Sequence, residues 1–334
     1  PDRSAAPMPR RHLLHATAIT PAVAAAITAT RVRAQPWPAP PLRKLLTAPP
    51  GSSIDVLGRL VAERLRERLG RPVVAENRAQ AGGTVGTDAI AKADRDGYTF
   101  GLSFTGPLAT APFLYSRLPY DPARDLAPIA LVGTAPYLLA VSCALPVNTF
   151  REFIEYVRAR PGQLNYASVG NGSASHLAME LLKAQGRLYI VHIPYNGAPP
   201  AAQATAAGEV QAIMSNPTSL LPLIQARRIK ALAVTSRERW PQMKELPSVA
   251  ESGFAGFEAV AWNGFVSPAG APREAIERLN REINAILQSP ETRGRIEAAG
   301  WDVAGGTPEA FAQFMAAERA RWQPVIQRSG ARLD

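Results

Sequence analysis

One cysteine, Cys143, serves 334 residues, so neither an intramolecular disulfide nor a cysteine-based metal cluster can form. Its surroundings, LLAVSCALPV, read as a strand end, which makes the thiol a small buried hydrophobe rather than a nucleophile. Histidine is nearly as scarce, with four in the chain and only His176 and His192 beyond residue 34. Two imidazoles without cysteine or clustered carboxylates do not make a zinc site, so neither metal nor cofactor is expected. The 37 Lys plus Arg and 27 Asp plus Glu are spread along the chain without a basic block, which points to solubility and weak attraction for anions, not to nucleic acid. No period of 20 to 50 residues and no heptad run stands out, which argues against solenoids, propellers and coiled coils.

What is present is an ordinary globular balance, 46% apolar and 19% charged, on a chain long enough for two domains. Near the start, Arg10 and Arg11 precede the uncharged residues 16–29, broken by Pro21, and Val32-Arg33-Ala34 ends in a small residue. This predicts an export signal over residues 1–34, by the general or twin-arginine route, because the run is too short to span a bilayer. Without the five Arg and one Asp of residues 1–34 the net charge of +10 becomes 10 − 5 + 1 = +6. The remainder is expected in the periplasm, stabilised by its core alone.

Strand-like and helix-like segments alternate from residue 35 onward, the signature of α/β layers. Strands are predicted at 42–47, 73–76 and 98–103, with a helix over 54–69 whose core stripe includes Val56, Leu57, Leu60, Val61 and Leu65 and which ends at Gly70. GTAP separates two further strands, 129–132 and 137–142. A second series follows: a helix from Asn148-Thr149 to Arg160, a strand at 164–168, a helix to Gln185, a strand at 188–193, a small helix over 200–207, and strands at 210–214 and 229–235. A strand from Trp262 leads into helices over 273–287, 292–299 and 307–330, which are expected to return to cover the first sheet. Two crossings between domains predict a hinge.

Three loops, PPGSS (49–53), AGGT (81–84) and SVGNGSAS (168–175), place Gly with Ser or Thr at strand-to-helix junctions. There the first amides of a helix lack intrahelical partners and the macrodipole is positive, so small anions suit them. No lysine follows as in a Walker loop, the third glycine of a dinucleotide fingerprint is missing at Ser175, and Ser173 lacks the flanks of a nucleophile elbow. A Ser173/His176 pair leaves a hydrolase as an alternative, although no carboxylate nearby in sequence orients the imidazole. His176 reads equally as packing beside its loop or lining a pocket. Asp55 reads as capping or neutralising the first helix rather than meeting a ligand amine.

The ordered stretches PPGSSIDVLGRLVAERL, VVAENRAQAGGTVGTDAIAKADRDGYTF, LYSRLPYDPARDLAPIALVG, LNYASVGNGSASHLAMELL, HIPYNGAPPAAQATAAGEVQ, IKALAVTSRERW, LPSVAESGF and TPEAFAQFMAAERARW resemble the Bug family of extracytoplasmic solute receptors, the binding components of tripartite tricarboxylate transporters. The resemblance implies a two-lobed type II periplasmic binding protein fold, α/β in both lobes, with lobe 1 over 35–137 and 256–334 and lobe 2 over 138–255. It implies a small organic carboxylate held in the cleft partly by backbone amides, with flytrap closure and no chemistry performed. Membrane transporter subunits, where encoded, are the implied partners of a monomer; a ligand-sensing module on a membrane sensor is a further alternative.

By position the implied ligand residues are Pro50, Gly51, Ser52 and Ser53 in one lobe and Ser168, Gly170, Gly172, Ser173 and His176 in the other. Tyr195, Asn196 and Gly197 and the strand end at Phe104 and Thr105 are expected at the cleft too. Ser52 stands where the pattern has glycine, Ser215 where many relatives carry Asp, and Asn196 where Lys is frequent. Loss of that Asp disfavours an amine-bearing ligand and favours a plain di- or tricarboxylate.

Overall fold

A computed structural model of the chain describes residues 37–329 and 331–333; the expected export signal lies outside the described residues. Four strands and their helices build the first half of lobe 1. β1 (Leu42–Leu46) runs into α1 (Ser53–Leu69), and β2 (Val73–Asn77) into α2 (Thr84–Ala91). β3 (Thr99–Phe104) ends in a π-helical turn at Gly106–Thr110 and a short α3 (Ala111–Leu114), before β4 (Leu126–Pro136). α1 begins on Ser52, whose Oγ accepts from the Asp55 amide, and stops at Gly70 with φ 63°. Leu57, Leu60, Val61 and Leu65 face the core as predicted, whereas Val56 is 39% exposed because the stripe turns one position past it. Beneath this helix Lys44 is fully buried and donates to Gly58 O; burial holds its ammonium well below the usual lysine range.

The second lobe holds β5 (Leu138–Ser142), α4 (Phe150–Arg158), β6 (Asn165–Ser168), α5 (Ala174–Gly186), β7 (Val191–Pro194), α6 (Ala198–Ala207), β8 (Ala212–Ser215), α7 (Pro217–Gln225) and β9 (Ile229–Val234). The chain then returns through β10 (Val260–Pro268), α8 (Arg273–Gln288), α9 (Pro290–Ala298), β11 (Asp302–Val303) and α10 (Pro308–Ser329). The sheets run β11-β4-β10-β3-β1-β2 and β7-β6-β8-β5-β9. In the first, β1 is parallel to β2 and β3 while β10 runs antiparallel between β3 and β4. In the second, β6 is parallel to β7 and β8, and β5 runs antiparallel to β8 and β9.

Three readings of the sequence change. GTAP does not break a strand: β4 is continuous, and Gly133 instead lets β11 lie close, since a Cβ there would stand 2.7 Å from Asp302 O. α7 was hidden by prolines. Pro217 occupies its first turn, where no amide hydrogen is needed, and Pro222 interrupts only one bond further on. Cys143 is exposed, because β5 ends at Ser142 and the thiol sits in the following turn, 3.2 Å from Arg227 O.

Only Tyr137 separates β4 from β5, and the return strand is stitched beside it. The Tyr137 amide donates to Thr235 Oγ1 at 2.7 Å, Thr235 Oγ1 donates to Ala259 O at 2.6 Å, and the Thr235 amide donates to Tyr137 O at 3.0 Å. Both crossings therefore meet at one buried threonine.

Candidate functional site

Between the lobes lies a cavity of about 580 Å³, counting the space open to solvent at its mouth. Lobe 1 contributes the end of β1 (Thr47, Ala48, Pro49), Ser52 and Ser53 at the start of α1, Gly82 and Gly83 ahead of α2, and Phe104 and Thr105 at the end of β3. Lobe 2 contributes Val169, Ala174 and Ser175 in the first turn of α5, Gly197 and Ala198 opening α6, and Asn216 capping α7. Trp262, Asn263 and Trp301 complete the wall, and Tyr137 lines it at the hinge.

Five helix starts thus converge on one space, and among the described residues that line it none carries a charge. No side-chain charge among those residues therefore sets the sign of the potential in the cavity. The lobe 1 loop is held from behind by Asp55, which accepts from the Gly51 amide at 3.0 Å, Asn77 Nδ2 at 3.0 Å and Arg59 Nε at 2.7 Å. Burial works to raise the Asp55 carboxyl, but these donors together hold it below the usual carboxylate range. The lobes touch around the cavity. Pro199 stands 3.7 Å from the Cβ position of Gly51, Pro49 crowds that of Gly197, Thr110 Oγ1 donates to Gly172 O at 3.1 Å, and Trp301 Nε1 donates to Thr218 Oγ1 at 2.7 Å.

A family model described as the tripartite tricarboxylate transporter family receptor, TctC, matches residues 57–331. The chain belongs to that family. Protein BugT of Bordetella pertussis is 37% identical over 312 residues, covering 93% of this chain and 96% of its own. A protein from the tcbD-tcbE intergenic region of Pseudomonas sp. strain P51 is 38% identical over 91% of each chain. Among solved structures, R. palustris Rpa4515 with adipate superposes with a TM-score of 0.86 at 35% identity, covering 89% of this chain and all of the other. MatC of Rhodopseudomonas palustris with bound malate superposes at 0.82 and 29%, covering 86% and 99%. This TctC protein is therefore a solute-binding receptor with the two-lobed fold of periplasmic binding proteins.

In this TctC receptor five of the expected ligand residues line the cavity: Ser52, Ser53, Phe104, Thr105 and Gly197. Pro50 and Gly51 are exposed on the outside of their turn, Gly51 with φ 77°. Tyr195 and Asn196 line a neighbouring recess with Gly170, Asn171, Tyr115 and Leu333. Ser215 is fully buried with no partner for its Oγ, and its neighbour Asn216 faces the cavity in its place.

Ser168, Ser173 and His176 of the SVGNGSAS stretch turn inward instead. Ser168 Oγ lies 2.6 Å from His192 Nε2, and Ser173 Oγ donates to Gly170 O at 2.7 Å. His176 Nδ1 accepts from the Gly172 amide at 3.1 Å, and its ring stacks on His192 with centroids 4.0 Å apart, with Tyr166 beyond at 4.9 Å from His192. Burial lowers both imidazoles, His192 to about 3. Since the Ser173 hydroxyl bonds a carbonyl and His176 Nδ1 an amide, the pair is not arranged as nucleophile and base. Tyr137, Asn216, Trp262, Asn263 and Trp301 were not expected. An Asn-Pro helix start could have signalled Asn216, but the others reach the cavity only through tertiary packing.

Proposed function

We propose that this receptor captures a small organic di- or tricarboxylate between its lobes in the periplasm and presents it to membrane transporter subunits. The observation that carries this reading is the convergence of five helix N-termini on a cavity whose lining includes no charged side chain. A cation would find no carboxylate there, and an amino acid would leave its ammonium without an acidic partner. An acid finds amides on both sides. One helix terminus contributes about 0.3 to 1 kcal/mol, up to about 2 when partly buried, whereas a micromolar Kd needs roughly 8 kcal/mol. Several hydrogen bonds to charged oxygens, about 1.5 to 3 kcal/mol each, therefore act together in the closed cleft. The adipate and malate of the neighbouring structures accord with a ligand of this size.

Calorimetric titration with di- and tricarboxylates, monocarboxylates and amino acids tests the reading. At least one di- or tricarboxylate is expected to bind in the micromolar range or tighter, with aspartate weaker than its deaminated counterpart. Absence of binding by any acid to folded protein, or equal preference for the amino acid, overturns it.

A further inference from the structure

Most of the polar side chains around the cavity are already engaged. Thr47 Oγ1 donates to Leu102 O, Ser52 Oγ to Pro49 O, and Thr105 Oγ1 accepts from the Trp262 amide. The indoles of Trp262 and Trp301 spend their N–H groups on Glu318 and Thr218. Two groups stand apart. Asn263, a lobe 1 lining residue, is 1% exposed and its Nδ2 has no partner, and Asn216, a lining residue of lobe 2, has a buried Oδ1 with no partner. A buried amide left unpaired is costly, so such a group in a binding cavity is matched by something the ligand brings.

The placement of Asn263 separates it from the carboxylate cradle. It lies on β10, opposite Phe104 of β3 and Gly133 of β4, at a register shift between Asn263 and Gly264 of the kind that re-aims side chains. β10 is two strands from β1, about 10 Å across the sheet from the strand that feeds α1. A carboxylate only accepts hydrogen bonds, so it can answer Asn263 but leaves Asn216 Oδ1 unpaired. A hydroxyl both accepts and donates.

We propose that Asn263 and Asn216 are specificity-determining residues that read a hydroxyl on the carbon skeleton of the ligand, making this a receptor for hydroxylated di- or tricarboxylic acids. Asn263 Nδ2 donates to the hydroxyl oxygen from lobe 1, and the lobe 2 acceptor takes a hydroxyl proton on closure. This rests on the carboxylate reading above and narrows it.

Calorimetry on the intact receptor with matched pairs, succinate and malate, glutarate and 2-hydroxyglutarate, tricarballylate and citrate, separates the two levels. The hydroxylated member is expected to bind on the order of tenfold tighter or more in the pair whose skeleton fits. Asn263→Leu should collapse that ratio toward one, the hydroxylated acid losing on the order of tenfold more affinity than the bare acid, with the melting temperature recording that the variant folds. Asn216→Leu, assayed alongside, should reduce the same ratio. Equal affinities within every wild-type pair, a ratio that survives Asn263→Leu, or equal loss for both members overturns the hydroxyl reading while leaving carboxylate capture intact. Failure of every acid to bind wild-type protein overturns both.

Discussion

PPGSS in lobe 1 and SVGNGSAS in lobe 2 look alike as sequence, small residues with hydroxyls ahead of a helix, yet they are supported in opposite ways. The first is braced from outside by a carboxylate, Asp55, and leaves Ser52 and Ser53 at the cavity. The second braces itself with its own hydroxyls and a pair of half-buried imidazoles, and offers the cavity little more than the first turn of α5. Serines and histidine in such a loop are therefore weak indicators of ligand contact. They first answer the question of where the loop's own polar groups are satisfied.

The contrast can be broken most severely where the loops meet. Gly197 has φ 106° and its Cβ position is crowded by Pro49, so Gly197→Val should prop the lobes apart. A loss of ligand affinity of about a hundredfold or more is expected, roughly 2.7 kcal/mol, with small-angle scattering showing the variant expanded in saturating ligand. Acid should separate the two braces next. Bases held below their unfolded value of about 6.5 leave the folded state short of protons, so stability is complete above that pH and falls as pH drops toward the folded values, about 3 for His192. Urea unfolding is expected to weaken between about pH 6 and 4 as His192 takes up its proton, by less than the roughly 1.4 kcal/mol per pH unit of a fully desolvated group, and His192→Gln should flatten that slope.

Asp55 behaves in the other sense. A carboxyl held low contributes stability above about pH 4 and loses it as pH falls through its folded value. Asp55→Asn should cost about 1 to 3 kcal/mol at pH 7, with the difference from wild type shrinking below about pH 4. The smallest effect belongs to Ser173, whose hydroxyl accepts from the His176 amide as the α5 cap. Ser173→Ala is expected to lower stability by about 1 kcal/mol while changing ligand affinity less than threefold, and a serine-directed phosphonate should leave Ser173 of the wild type unlabelled by mass.

The alternation of strands and helices was legible in the sequence because its signals are local: the cap at Ser52, the left-handed Gly70, and the capping box of Thr149 and Glu152. α7 was not, since two prolines in nine residues mimic a loop unless the first is recognised as a helix-opening residue. The loops that open the cavity could be found from their glycines, including Gly82 and Gly83 of AGGT. Which side chain of a loop turns inward could not be found that way, because it is set by partners such as His192 and Asp55 that lie 24 and 4 residues away. Asn263 is the extreme case: nothing around it in sequence distinguishes it from a core strand residue, and only the packing of three strands brings it to the cavity wall.

Among the described residues lining the cavity, the one ionisable group is the Tyr137 hydroxyl, which burial pushes upward, away from any ordinary environment. From neutral to mildly alkaline surroundings the lining therefore keeps the same charge. On the carboxylate reading proposed above, discrimination between an acid's ionised and protonated forms would then need no titrating sensor in the wall.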